Sequence, residues 1–442
     1  MVHSNKAWFA AVALVGASAL ALVGCSGSGS GGSSGSSSPA ADYKAYKCAD
    51  NATTADQLKV GTLLPVTGTL AFLGPPEIAG VGLAVDDIVA AGTKACTFET
   101  DSGDSNDLTV STASAAKLID AKVSLVLGAA SSSVSQNVVA SITKTPIVQI
   151  SPANTAAALS GISPFYFRTA PPDGVQGSAL GQQIVKDGNA KIAFLVFNDS
   201  YGTGLRDVVQ TTVEGAGGEV TYGGKGKGQE FPPGQTTFSS EVTAAIASKP
   251  DAIVIIAFDE TKAIVPELVS QGWDMAKTYY TDGNTSDYSQ VFDKGTLTGA
   301  QGTIPGVNPN DDFKKKASDW YKATNGKALS DYSYAAESYD GVVLAALAAA
   351  KGGAFDPTTI QKNLHAVSGA SDDGTPLSGA TVCKTYADCL KLIKDGKDIQ
   401  YQGISSVGPF NAKNDPSSAF IGIYKFDENN KPVWQSAVEG KS

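Results

Sequence analysis

The chain has 442 residues, 43 acidic against 33 basic, and a formal net charge of −10. Its Lys and Arg form no basic block, which excludes nucleic acid as the principal partner, because phosphate contacts need clustered cations. A chain of this length exceeds what one hydrophobic core usually organises, so two lobes are expected.

His3 and Lys6 precede an uncharged run from Trp8 to Val23, the charged-then-apolar order of a secretory signal peptide over residues 1–24. The run is shorter than the ~20 apolar residues that span a bilayer. It closes on Leu22-Val23-Gly24-Cys25, which resembles the lipobox of bacterial lipoproteins. That resemblance implies an acylated Cys25 as the first mature residue, anchored through a diacylglyceryl group, since one acyl chain alone holds a protein only marginally. From Ser26 to Ala41 the chain is nearly all Ser, Gly, Pro and Ala, a flexible leash. Residues 25–56 are therefore assigned as lipidated cysteine, linker and N-terminal segment.

Cys48, Cys96, Cys383 and Cys389 remain. An even count in an exported chain favours disulfides, and the sequential pairing is preferred among three connectivities. On the loop-entropy argument the bridges are worth ~4 and ~2 kcal/mol. The Cys383 to Cys389 spacing is wide for a zinc clip and only His365 survives processing, so neither metal nor cofactor is expected.

Beyond the leash, short β-branched runs alternate with segments of helical period, the pattern of parallel sheets with crossover helices. The first array predicts strand Leu58 to Leu64, helix Glu77 to Ala91, strand Thr97 to Thr100, helix Leu108 to Ala121, strand Val123 to Leu127, helix Val134 to Thr143 and strand Ile147 to Ile150. After Pro171-Pro172 come helix Val175 to Asp187, strand Ile192 to Phe197, helix Gly204 to Glu214 and strand Glu219 to Tyr222. A Gly-rich stretch from Gly223 to Gly234 interrupts before helix Phe238 to Ala247, strand Ala252 to Ala257, helix Ala263 to Gln271 and strand Thr278 to Thr281. Helices Asp312 to Thr324, Tyr334 to Lys351 and Pro357 to Ala366 follow, then strand Phe420 to Phe426. The expected fold is α/β, with two doubly wound Rossmann-like lobes joined by a multi-strand hinge. Lobe 1 takes residues 57–170 and 302–400; lobe 2 takes 171–301, with 401–442 returning to it.

Ligands of open parallel sheets lie beyond the carboxyl ends of the strands. In lobe 1 those loops are Gly128-Ala129-Ala130-Ser131-Ser132-Ser133 and Ile150-Ser151-Pro152-Ala153-Asn154-Thr155, hydroxyl-rich turns, the first of which opens a helix. Such a loop seats an anion such as a carboxylate. In lobe 2 they carry Asn198-Asp199-Ser200-Tyr201-Gly202, Phe258-Asp259-Glu260 and Thr281-Asp282-Gly283-Asn284. An acid there faces an ammonium while Tyr201 or Phe258 covers an apolar part. Asp282 has the best claim, because Gly283 and Asn284 follow it rather than a helix it would cap. The arrangement suits a zwitterion held between the lobes.

These residues resemble the substrate-binding lipoproteins of branched-chain amino acid ABC transporters, with a type I periplasmic-binding fold, from about Leu58 to Phe426. The matching stretches are Gly61 to Gly68, Gly80 to Ile88, Gly128 to Ser133, Ile150 to Thr155, Tyr201-Gly202 and Tyr339-Asp340-Gly341. The resemblance implies carboxylate contacts from Ser131 or Ser132, Ala153 and Thr155, an aromatic contact from Tyr201, and an ammonium contact from Asp282. It implies an apolar wall from Phe72 or Leu73. It further implies a monomer tethered to the outer face of the cytoplasmic membrane, with a permease as partner; a sensing subunit would carry the same cleft. The Phe258-Asp259-Glu260 loop departs from the glycine and tyrosine pattern of leucine-binding relatives, and the Gly223 to Gly234 insertion is unfamiliar.

An exported hydrolase is the contrasting reading. Ser114 with Lys117 and Ser141 with Lys144 have the S-x-x-K spacing, but both lie in or at the end of predicted helices and no K-T-G follows. His365 has no G-x-S-x-G elbow to serve. Catalysis is not expected.

Overall fold

The computed structural model describes residues 43–103 and 107–441; the signal segment, Cys25 and the Ser/Gly leash lie outside the described residues. The first strand, β1 (Leu58–Leu64), is buried at every position, as a central parallel strand covered on both faces must be. There follow α1 (Gly74–Ala90), β2 (Ala95–Asp101), α2 (Thr109–Asp120), β3 (Leu125–Gly128), α3 (Ser132–Lys144), β4 (Val148–Ser151) and β5 (Tyr166–Arg168). All five strands are parallel, in the order β2-β1-β3-β4-β5. Prolines 75 and 76 sit in the first turn of α1, where a missing N–H costs nothing.

The chain then crosses to a second array: α4 (Asp173–Lys186), β6 (Lys191–Val196), α5 (Ser200–Gly215), β7 (Glu219–Tyr222), α6 (Ser239–Ala247), β8 (Ala252–Ile256), α7 (Thr261–Ser270), β9 (Thr278–Tyr280) and β10 (Gln301–Pro305). It returns with α8 (Asp311–Asn325), α9 (Ala335–Gly352), α10 (Pro357–Ser368), β11 (Thr381–Cys383), α11 (Tyr386–Lys394) and β12 (Ile399–Tyr401), then ends in the hairpin β13 (Ser418–Phe426) and β14 (Pro432–Lys441). The second sheet runs β14-β13-β10-β9-β8-β6-β7. Its strands from β6 to β10 are parallel, and β13 is antiparallel to both β10 and β14. In each sheet the strand order reverses once along the parallel run, beside β1 and β3 and beside β6 and β8, which opens a crevice at the carboxyl ends.

Helix α9 is buried from Ala335 to Ala349, because it is the central helix of lobe 1, and its small side chains let α1 and α10 approach closely. Gly82 of α1 faces the Trp320 indole of α8 so closely that a Cβ would overlap the ring. The Gly-rich stretch is also tied down. Phe231 donates its N–H to Val196 O at 3.1 Å, accepts the N–H of Asn198 at 2.7 Å, and packs edge-on against Phe238.

Two lobe boundaries move from the sequence expectation. β10 stays in the second sheet, so the return to lobe 1 follows Pro305 rather than residue 301. Tyr401, Val407 and Phe410 remain in the lobe 1 core, so the final crossing comes after Phe410 rather than at 401. β5 and β10 were not anticipated from the sequence, because runs of three and five residues containing Arg, Gly or Pro carry no readable period. Disulfides join Cys48 to Cys96 and Cys383 to Cys389, fastening the N-terminal segment to β2 and β11 to α11.

Among the described residues three segments cross between the lobes, after β5, after β10 and before β13. Arg168, fully buried at the end of β5, ties two of them. Its Nε donates to Asp415 Oδ1 at 2.6 Å, Nη1 to Ala156 O at 3.0 Å and Asn154 O at 3.3 Å, and Nη2 to Ser160 Oγ at 2.6 Å.

Candidate functional site

The lobe 1 wall of the crevice is built from the loops after β3 and β4. Ser131 adopts an extended conformation and caps α3, its hydroxyl accepting the Val134 N–H at 3.4 Å. The helix N-terminus therefore points its unpaired N–H groups and positive dipole end at the crevice. The Ser132 hydroxyl accepts the Ala156 N–H at 3.2 Å. Ser151 Oγ donates to Ala129 O at 2.7 Å, and Asn154 Nδ2 donates to Ala130 O at 2.7 Å. These bonds lock the two loops together, and Arg168 holds the second from behind.

The lobe 2 wall comes from the loops after β6, β8 and β9. Asp282, 6% exposed, accepts from Tyr201 Oη at 2.7 Å and Gln176 Nε2 at 2.8 Å on one oxygen, and from Tyr334 Oη at 2.6 Å on the other. Burial pushes its carboxyl above the ordinary range, and the hydrogen bonds from Tyr334, Tyr201 and Gln176 oppose that. Tyr201 and Phe258 stack with ring centroids 5.7 Å apart. Among the described residues Asp173, fully buried at the start of α4, has no ion-pair partner and no well-formed hydrogen bond on either oxygen. Burial first, then the nearby carboxylates of Asp282 and Asp199, raises its pKa to about 8, against the Thr155 hydroxyl and Arg168.

The walls meet. Ser133 Oγ of lobe 1 donates to Asp199 Oδ2 of lobe 2 at 2.5 Å and lies 3.3 Å from Ser200 Oγ. Between the walls Ser131, Ser132, Ala153, Thr155, Leu73, Tyr201, Phe258 and Asp282 line one cavity, joined by Leu70, Ala130, Gly283 and Tyr334. Its volume of about 10 Å³ holds roughly one water, so a cargo enters only after the walls part.

Eight of the nine predicted contact residues thus converge. Phe72 does not: it packs against the lobe 2 core while Leu73 takes the wall position. Ser133, grouped with the carboxylate loop in the sequence, is committed to the contact across the lobes. Gln176 and Asp173 went unnoticed because a polar side chain in the first turns of a helix resembles a solvated one. Tyr334, which with Tyr332 stands at the start of a sequence-predicted core helix as a candidate to line the cleft, does line the cavity; its left-handed backbone (φ 59°), which turns its hydroxyl to Asp282, has no sequence signal.

The family pattern described as periplasmic binding protein matches residues 57–383. The chain belongs to the periplasmic binding protein family. It is a solute-binding protein of the ABC-transporter type and not an enzyme, and family membership implies a location outside the cytoplasm. Its fold is that of a type I member. The leucine-, isoleucine-, valine-, threonine- and alanine-binding protein of Pseudomonas aeruginosa is 24% identical over 322 residues, 72% of this chain and 84% of the relative. Among solved structures, the branched-chain amino acid binding protein LivJ of Streptococcus pneumoniae, in complex with isoleucine, superposes with a TM-score of 0.68 at 22% identity. That match covers 87% of this chain and all of the other. A solute-binding protein of R. palustris in complex with 4-hydroxybenzoate gives 0.69 at 17% identity, covering 88% and 98%. His365 lies outside the interlobe cavity: its Nε2 bonds Asn414 at 2.8 Å and its ring packs on Phe167 and Phe410 of the lobe 1 core.

Proposed function

We propose that this protein captures a small amino acid, branched-chain or related, between its lobes and delivers it to an ABC permease. The observation that carries the reading is the opposition of charge preferences within one cavity. The α3 N-terminus with Ser131, Ser132, Ala153 and Thr155 offers donors to a carboxylate, and Asp282 across from it offers a counter-charge to an ammonium. Tyr201, Phe258 and Leu73 enclose the apolar part. A ligand bridging both walls has its full contacts only when the lobes are closed, so it draws them together. Acylated Cys25 and the leash keep this monomeric binder at the outer face of the membrane, where tethering raises its encounter rate with a permease.

A second reading is favoured by the stacked Tyr201 and Phe258 rings and by the saturation of Asp282 with two phenols and an amide. An aromatic carboxylate would use the lobe 1 wall alone and leave Asp282 with its present partners. A thermal-shift screen against amino acids and aromatic carboxylates separates the two. At about 100 times its dissociation constant a ligand adds ~2.7 kcal/mol to stability. A shift with amino acids that vanishes for their deaminated analogues supports the zwitterion, whereas a shift with benzoates alone replaces it. Crosslinking at the membrane tests the partner, and capture of a sensor kinase instead of a permease would overturn delivery.

A further inference from the structure

A second cavity, of about 240 Å³, lies beside the hinge. Lobe 2 contributes Thr285, Asp287, Tyr424, Lys431 and Trp434; the stretch from Ser330 to Glu337, leading into α9, supplies the opposite side. Tyr334 lines both cavities, so its ring is the partition between them.

The charges of this cavity do not cancel. Lys431 pairs with Asp287 at 3.2 Å, and Lys314 bonds Asn308 Oδ1 at 2.5 Å while sitting 5.9 Å from the Tyr332 ring centroid. Asp331 accepts the Ser333 N–H at 2.7 Å. Glu337, 3% exposed, is different: among the described residues its carboxyl has no ion-pair partner and takes a hydrogen bond only from its own backbone N–H. Behind it Glu77, fully buried in α1, has no hydrogen-bond partner on either oxygen among the described residues, and burial, then Glu337, holds its carboxyl well above the usual range. The hinge residue Gly306, at φ 101°, lies where a Cβ would overlap Glu337 Oε1, so the backbone there is bare against the acid. A buried acid without a counter-ion, facing a space large enough for several heavy atoms, is half of an ion pair.

We propose that the hinge-side cavity is a second binding site, for a small organic ammonium ion, with Glu337 as counter-charge and the rings of Tyr424 and Trp434 as its aromatic walls. Aromatic faces attract cations electrostatically. Lys431 is paired with Asp287, and a zwitterion would need Lys314 to leave the Asn308 amide for its carboxylate, whereas a simple ammonium needs no such exchange. The site does not depend on the cargo being an amino acid, since it shares only the Tyr334 ring with the cargo pocket.

The proposal has a proton signature. Burial, then Asp340 on the same helix, raises the Glu337 pKa to about 8. The other groups around it are Glu77 of α1, Asp331 and Tyr334 of the loop, Lys314 of α8, and Asp287, Tyr424 and Lys431 of lobe 2. With the cavity empty, Glu337 is largely protonated at neutral pH; an arriving cation favours its ionised form and releases the proton. Binding therefore tightens as pH rises toward about 8.

Isothermal titration of the full chain with n-butylammonium chloride, against sodium chloride at equal ionic strength, tests this. Saturable binding with proton release is expected, weakened at least about tenfold by the near-isosteric Glu337→Gln and, independently, by Trp434→Ala at the cavity rim. Absence of saturable binding overturns the site, as does binding that ignores Glu337→Gln. A response that survives Glu337→Gln but disappears in Asp282→Ala puts the ion in the cargo pocket and also overturns it.

Discussion

The two walls of the cargo cavity hold their polar groups in opposite ways. On the lobe 1 wall the partners are main-chain atoms: Ser131 to Val134 N, Ser132 to Ala156 N, Ser151 to Ala129 O, Asn154 to Ala130 O. On the lobe 2 wall Asp282 is held chiefly by side chains, those of Tyr201, Tyr334 and Gln176. A main-chain partner leaves only if the loop unfolds, whereas a side-chain partner leaves by rotating. On the proposed zwitterion reading the lobe 1 wall is a fixed anion seat, and the lobe 2 wall a counter-charge whose partners an incoming ammonium displaces.

The fixed wall is broken most directly through Arg168. Removing it leaves Asp415 buried without its cation and frees the carbonyls of Asn154 and Ala156. Arg168→Ala is expected to cost ~3–5 kcal/mol of folding stability, read from denaturant midpoints. A cost near that of an exposed pair would mean the wall does not depend on it.

The lobe 2 side has an imbalance that pH reveals. An unfolded Asp titrates near 3.9, but Asp173 titrates at about 8 in the fold. The native state thus holds an extra proton between those values, and the stabilisation from that proton declines as pH rises from about 4 and is gone above about 8. Asp173→Asn removes this slope and should be more stable than wild type near pH 8 by a few kcal/mol. Parallel stability curves for the two proteins between about pH 5 and 9 would show that Asp173 is solvated after all.

Much of this contrast was readable in the sequence, for physical reasons. Strands ending in Ser, Gly and Asn announce ligand loops, and Asp282 stood out because the residues after it start no helix; Asn284 instead turns the chain by accepting the Thr281 N–H at 2.8 Å. What was not readable is whatever depends on a partner far along the chain. Gln176 matters only because β9 brings Asp282 within 2.8 Å of it, and Tyr334 only because a left-handed backbone aims it at the same carboxylate. Periodicity marks which face of an element is buried, not which distant acid it meets there.

Asp282→Ala takes away the exchangeable wall altogether. Amino-acid affinity should fall about 100-fold, near 2.7 kcal/mol, while the melting temperature moves by only a few degrees, because the phenols of Tyr201 and Tyr334 keep room to find water. Equal losses of folding and binding would make Asp282 a structural residue and leave the lobe 1 wall to bind alone.

The smallest effect is the most discriminating. If an ammonium takes the place of the Tyr334 hydroxyl on Asp282 Oδ2, binding must first break a charge-assisted hydrogen bond of 2.6 Å. Tyr334→Phe removes that competitor and keeps the ring that encloses the cavity. Titration calorimetry should then find amino-acid affinity raised by up to about tenfold, roughly 1.4 kcal/mol, the scale of one net hydrogen bond. If Tyr334 instead stays on the carboxylate with cargo bound, the same variant weakens binding, because Asp282 loses a donor that held it ionised. The sign of the change therefore tells whether the lobe 2 wall exchanges its partners or is as fixed as the wall it faces.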